Sequence, residues 1–223
     1  MPKKKLIRFA DNKTMACIFE PVQESVLAEN FKLSGKWNSD YFQNQNPIVI
    51  ELGCGKGEYT IALAQKYPEK NFIGVDVKGA RLWYGAKAAT KLNLKNVAFL
   101  RSKIELTPNF FSENEVDEIW LTFSDPQPQK PRKRLSSPVF ISRYAKFLKA
   151  GGTIHLKTDN SMLFEWTLAE IVKNHYTLKG SAWDIDEYNE TDDETKDILK
   201  VRTHYETMFR LKGFDIKYLK FSI

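Results

Sequence analysis

Cysteine is almost missing from the chain: Cys17 and Cys54 are its only two in 223 residues. That excludes a disulfide framework and makes a reducing, cytoplasmic setting the expectation. Long apolar runs are missing as well. Nothing approaches the roughly 20 residues that a membrane-spanning helix needs, and the basic start has no apolar core of a secretion signal. Linkers, repeats and low-complexity tracts are also absent. One α/β domain over residues 1–223 is therefore expected, with 1–46 a poorly defined N-terminal extension.

Charge of both signs is plentiful, 34 Lys and Arg against 28 Asp and Glu, but it is segregated. Lys3-Lys4-Lys5 with Arg8, and Lys130-Pro131-Arg132-Lys133-Arg134, are basic. Asp184 to Asp197 holds one basic residue, Lys196. A phosphate backbone would be drawn to the first two clusters and repelled by the third. The basic start reads as a flexible tail or as an arm that orders on RNA.

Pro47 to Tyr59 reads P-I-V-I-E-L-G-C-G-K-G-E-Y. Ile48, Val49 and Ile50 have the pattern of a strand buried on both faces, and Tyr59, Ile61 and Leu63 mark a following helix. Between them, Gly53, Gly55 and Gly57 allow a sharp turn and close approach of a ligand. The third glycine comes one residue too early for a dinucleotide fingerprint, and Glu51 adds a charge that repels phosphate. S-adenosylmethionine, with an ammonium group and no phosphate, suits this turn better than NAD. The strand Asn71–Val75 ends in Asp76, placed to accept from ribose hydroxyls.

Further strands are expected at 97–100, 118–123, 153–156, 177–183 and 214–221. Helices are expected at 22–31, 79–92, 137–148 (stopped by Gly151-Gly152) and 201–212, with another capped by Ser161. The alternation implies a Rossmann-like, three-layer αβα sandwich on a mostly parallel sheet. Ligands bind beyond the carboxyl ends of such strands, and Glu51, Asp76, Asp125 and Asp159 all follow strand ends. The fold thus gathers four carboxylates on one rim.

Ser124 to Arg134 joins Asp125, three prolines and a basic tail, so a stiff loop is expected, with Lys130, Arg132 and Arg134 gripping phosphate. Gln127 stands where enzymes that methylate amino groups carry the second proline of an Asp-Pro-Pro-aromatic motif, which disfavours such a target. Asp159 and Asn160 could read a base edge or cap a helix. Thr203 and Glu206 have capping-box spacing, and Tyr205 could stack on a base. His155 and His175 read as structural. No metal site is expected.

E-L-G-C-G-K-G at 51–57, G-V-D-V at 74–77, F-S-D-P at 123–126, H-L-K-T-D-N at 155–160 and T-H-Y-E at 203–206 together resemble the bacterial tRNA (guanine-N7)-methyltransferases, the TrmB family. The resemblance runs from about Ile48 onward. It implies the class I methyltransferase sheet of seven strands, the last antiparallel, and methylation of guanine N7 in the tRNA variable loop (m7G46). By it, Glu51 and Asp76 hold the cofactor, Asp125 sits between cofactor and guanine, and Asp159 with Thr203, His204, Tyr205 and Glu206 holds the base. Two positions depart from the family. Gln129 stands where its substrate lysine is usual, so that role is moved to Lys130. Lys103 stands where its adenine-binding Asp is usual, leaving a backbone acceptor near 102–104 to serve. Guanine N7 has a lone pair and no proton, so in-line transfer needs no general base, and Asp125 would stabilise the charge that develops. Three alternatives stay open: another RNA or protein target, an NAD-type oxidoreductase, and a non-catalytic RNA-binding protein of the same fold. Nothing separates a monomer from a homodimer.

Overall fold

A computed structural model describes residues 2–21, 31–188 and 193–223. The strands are β1 (Ile18–Phe19), β2 (Ile48–Leu52), β3 (Asn71–Asp76), β4 (Val97–Arg101), β5 (Val116–Thr122), β6 (Leu148–Thr158), β7 (Thr177–Ala182) and β8 (Lys217–Ser222). The helices are α1 (Pro2–Asn12), α2 (Glu58–Lys66), α3 (Gly79–Lys91), α4 (Pro138–Tyr144), α5 (Ser161–Lys173), α6 (Asp193–Leu199) and α7 (His204–Leu211).

All eight strands join one sheet in the order β1-β4-β3-β2-β5-β6-β8-β7. β1 to β6 run parallel, and β8 lies antiparallel between β6 and β7. The sheet has one strand more than expected. The extra strand is β1, whose two residues are too few to show a period; Phe99 N donates to Cys17 O beside it (2.7 Å).

Strand alternation sorts the core into two layers. Ile48, Ile50, Ile73, Ile119 and Leu121 pack with Tyr144 of α4 and Phe164 of α5 on one face. Val49, Phe72, Phe99 and Trp120 pack with Tyr59 of α2 and Leu82 of α3 on the other. Each such buried side chain contributes about 1.5–3 kcal/mol relative to exposure, so the strand ends form a rigid platform.

Three local expectations are corrected. α4 ends at Tyr144 rather than near Leu148, because Leu148 already pairs with Val116 in β6. Gly151 and Gly152 lie within β6, with Gly151 at φ 76°, beside a register shift between Val116 and Glu118. Asn160, not Ser161, caps α5, its side chain accepting from Leu163 N (2.8 Å). The basic start, expected as a flexible tail or as an arm that orders on RNA, is helix α1. It docks on α3 through Asn12 Nδ2 to Gly79 O (3.0 Å) and Trp83 Nε1 to Asp11 (2.9 Å). Of the helix expected at 22–31, residues 22–30 lie outside the described residues.

β2 is where the chain reverses direction across the sheet: β3 and β4 extend to one side, then the chain returns to place β5 on the other. Glu51 sits opposite Gly74 of β3 and Trp120 of β5. Open α/β sheets bind ligands at such a switch point.

Candidate active site

Beyond the end of β2, Gly53 N and Cys54 N both donate to Val75 O (2.8 and 3.1 Å), folding the glycine turn back over β3. Gly53, Gly55 and Gly57 have φ of 82°, 59° and 72°, in the left-handed region that a side chain strains. Their surroundings differ. A Cβ on Gly55 would meet nothing within 4 Å, and one on Gly53 only Ile104 at 4.0 Å. A Cβ on Gly57 would lie 2.5 Å from the Phe99 ring. Two glycines therefore face open space, and the third makes room for a core phenylalanine.

The open space is a cavity of about 430 Å³. Glu51, Gly53, Gly55 and Thr122 line it from the sheet and the glycine turn, and Thr203, His204, Tyr205 and Met208 line it from α7 and its cap. Glu51 is buried, accepting from Thr60 N (3.0 Å) and from the hydroxyls of Thr60 and Thr122. Burial pushes its carboxyl up to about 7, opposed by those hydrogen bonds and reinforced by the charge of Asp76. A cation beside Glu51 would relieve that cost. Asp76 Oδ2 accepts from Gly55 N (3.0 Å) and Oδ1 from Lys78 N (2.7 Å). Each carboxylate oxygen keeps a second lone pair for a ligand hydroxyl. Lys103 is exposed and borders a separate hollow of about 160 Å³ with Val77, Ser102 and Leu106.

Asp125 is exposed just past β5, its Oδ1 accepting from Gln127 N (3.0 Å). Phe123 and Gln127 both hold positive φ, 49° and 42°, so this loop is strained as well as proline-rich. Lys130 and Arg132 are exposed. Arg134 is not. Expected in the phosphate grip, it is instead buried, with its guanidinium 4.5 Å from the Trp166 ring centre and Nε donating to Pro126 O (2.9 Å). It pins the loop from beneath.

Thr203 caps α7, accepting from Glu206 N (3.1 Å), and His204 N donates to Glu58 (2.8 Å) on α2. Tyr205 is 56% exposed, its ring 6.2 Å from that of Phe123. Glu206, expected at the base, is instead fully buried and pairs with Lys157 of β6 at 2.7 Å. Lys157 also donates to Leu199 O and Val201 O (3.3 and 3.0 Å). The pair fastens α7 to the strand that leads into Asp159. Asp159 is half-buried, its carbonyl accepting from Lys217 (3.4 Å).

The cavity thus brings together Glu51, Gly53, Gly55, Thr203, His204 and Tyr205. Asp76 adjoins it through Gly55. Asp125, Asp159, Lys130 and Arg132 lie outside its lining, as does Lys103. Sequence reasoning missed Phe123, Glu58 and Arg81, which do line it. Glu58 had a signal, standing where a dinucleotide site needs its last glycine.

Known proteins match this chain along its length. A family model described as "Putative methyltransferase" matches residues 45–219. A tRNA (guanine-N(7)-)-methyltransferase of Bacteroides fragilis is 47% identical, covering 100% of this chain and 87% of its own length. One from Christiangramia forsetii is 43% identical, covering 99% and 98%. The chain belongs to the tRNA (guanine-N7)-methyltransferase family. The likeness to its relatives also takes in the segment before Ile48, where the resemblance was expected to be poor. Among solved structures, the 16S rRNA methyltransferase KamB aligns with a TM-score of 0.63 at 16% identity, covering 83% of this chain and 91% of its own. At that identity the likeness shows the fold alone. β1 lies at the sheet edge, three strands away from β2.

Proposed function

We propose that the chain transfers a methyl group from S-adenosylmethionine to N7 of a guanine in the tRNA variable loop, acting in the cytoplasm. Besides the names of its relatives, one observation carries this reading. A buried carboxyl pushed up to about 7, beside two glycines that open on a cavity at the switch point, suits a cationic ligand and disfavours a phosphate. The residues fit the cofactor. Glu51 would take its ammonium group, Asp76 its ribose hydroxyls, and the hollow at Val77, Ser102 and Lys103 its adenine. There Lys103 would contribute backbone and stem rather than its ammonium, which cannot accept a hydrogen bond. The bound sulfonium supplies the electrophilic methyl group.

Everything else falls to the chain's own residues. Guanine N7 attacks without losing a proton, so orientation supplies most of the acceleration, a term that can reach about 7–11 kcal/mol. Tyr205 and Phe123 would flank the purine at the cavity mouth, while Thr203 and His204 at the start of α7 and Asp159 at the end of β6 meet its edge. Asp125, held by Gln127 N, would stabilise the positive charge that grows on the ring. Lys130 and Arg132 would hold phosphate beside it. Glu206 acts on none of these atoms and instead positions α7 through Lys157.

Labelled-methyl transfer to an unmodified tRNA transcript tests the reading. Incorporation is expected, with borohydride–aniline cleavage at the variable-loop guanine. A transcript with that guanine replaced should take up none. Equal labelling of both transcripts would overturn the choice of target.

A further inference from the structure

We propose that the outer face of α3, with α1 docked beside it, is a second phosphate-binding track for the RNA substrate, on the opposite side of the cavity from Lys130 and Arg132. The proposal rests on the tRNA reading above. Its starting point is composition: none of the thirteen residues of α3 is acidic, and Lys78 precedes it. Arg81, Tyr84, Lys87 and Lys91, spaced three or four residues apart, share one helix face, and all four are exposed. α1 extends the face. Arg8 donates to Tyr84 OH at 2.6 Å, with its guanidinium 4.6 Å from that ring and 5.3 Å from Trp83. Lys87 Nζ lies 4.7 Å from Trp83, and Lys56 of the glycine turn lies 5.4 Å from Tyr84.

The pairing state separates these cations from others. Lys66, Lys149 and Arg210 sit on carboxylates at 2.6, 2.7 and 2.8 Å. Among the described residues, Arg8, Lys56, Arg81, Lys87 and Lys91 form no ion pair. Of the nearby acids, Asp11 accepts from Trp83 Nε1, Glu20 pairs with Arg101, and Glu58 accepts from His204 N. Uncompensated cations interleaved with aromatic rings suit a nucleic-acid backbone.

The position gives the track its role. Lys56 and Arg81 line the cavity as well as beginning the stripe, so it starts at the reaction site and leads away over Tyr84. α3 follows β3, whereas Lys130 and Arg132 follow β5, and these strands flank β2 on opposite sides. An RNA held at both places straddles the cavity.

The test uses the full chain with Lys87→Glu/Lys91→Glu, two exposed positions outside the cavity lining, and separately Arg8→Glu. Binding of an unmodified tRNA transcript is read by fluorescence anisotropy against KCl concentration, alongside methyl-transfer kinetics and titration with S-adenosylmethionine. The double variant should bind tRNA at least about tenfold more weakly. Its slope of log K against log salt should be shallower by roughly 0.9 per lost contact. KM for tRNA should rise with kcat within about twofold, and donor affinity should be unchanged. Unaltered tRNA affinity and salt slope in the double variant would overturn the proposal. So would wild-type binding to phosphatidylglycerol vesicles that the double substitution abolishes while sparing tRNA affinity, because the stripe would then serve a membrane. If the wild type binds tRNA through this stripe yet transfers no methyl group, the activity reading fails while the track stands.

Discussion

Glu51 is the residue whose environment says most about the ligand. Its carboxyl is pushed up to about 7 mainly by burial, so the folded chain holds that proton more tightly than the unfolded chain does. The resulting stabilisation is fully present below the ordinary carboxylate range and is lost as pH rises through about 7. Donor binding should run the other way, because an ammonium prefers the ionised form. Affinity for S-adenosylmethionine should rise about tenfold between pH 6 and pH 8, and Glu51→Gln should weaken it and flatten the profile. Calorimetric titrations across that range check both. At Asp125, expected to touch both cofactor and guanine, substitution by Ala should lower kcat on tRNA about 100- to 1000-fold. Near-normal turnover would remove Asp125 from the chemistry. The carboxylates at strand ends were legible in the sequence because strand ends are. The burial of Glu206 and Arg134 was not. Glu206 meets Lys157 and Arg134 meets Trp166 only after distant elements pack, and no local pattern announces either contact.

At the scale of elements, the long apolar strands β2 to β5 could be read because both faces are buried. β1 was too short to show a pattern, and the glycines of β6 imitated a helix stop. The left-handed turns at Phe123 and Gln127 were also hidden, since neither residue favours that conformation. The glycine turn was legible as a motif, although its third member serves packing. Gly57→Ala should therefore cost stability, seen as a lower urea midpoint, through its clash with Phe99. Gly55→Ala, facing open space, should cost stability only through its left-handed backbone, and should in addition weaken donor binding. The Lys157–Glu206 pair locks α7 over the cavity. Replacing Lys157 alone by Met should lower the urea midpoint but cost less than the roughly 3–5 kcal/mol of a fully stranded carboxylate, because Arg210 Nε still lies 3.4 Å from Glu206. Replacing both partners with apolar residues should recover much of that loss.

Across the whole molecule, charge is divided by function. Among the described residues, Lys56 and Arg81 line the cavity without an ion pair, and the acidic stretch from Asp184 ties down Arg210 and Arg202. If only about four of the proposed cations (Lys130, Arg132 and the α3 stripe with Lys87 and Lys91) meet phosphates, tRNA affinity should fall roughly 100-fold between 50 and 200 mM salt, and more steeply if Arg8, Arg81 or Lys56 also do. Donor affinity should barely change. The sequence showed the segregation but not that α1 would carry its cations onto α3, which depends on Asn12 reaching Gly79. Methyl transfer depends most on the two carboxylates beside the β2 switch point receiving the methyl donor. A crystal structure with S-adenosylhomocysteine bound tests that directly. The amino group should lie within hydrogen-bond reach of Glu51 and the ribose hydroxyls within reach of Asp76; a ligand with both carboxylates turned away from it would contradict the account.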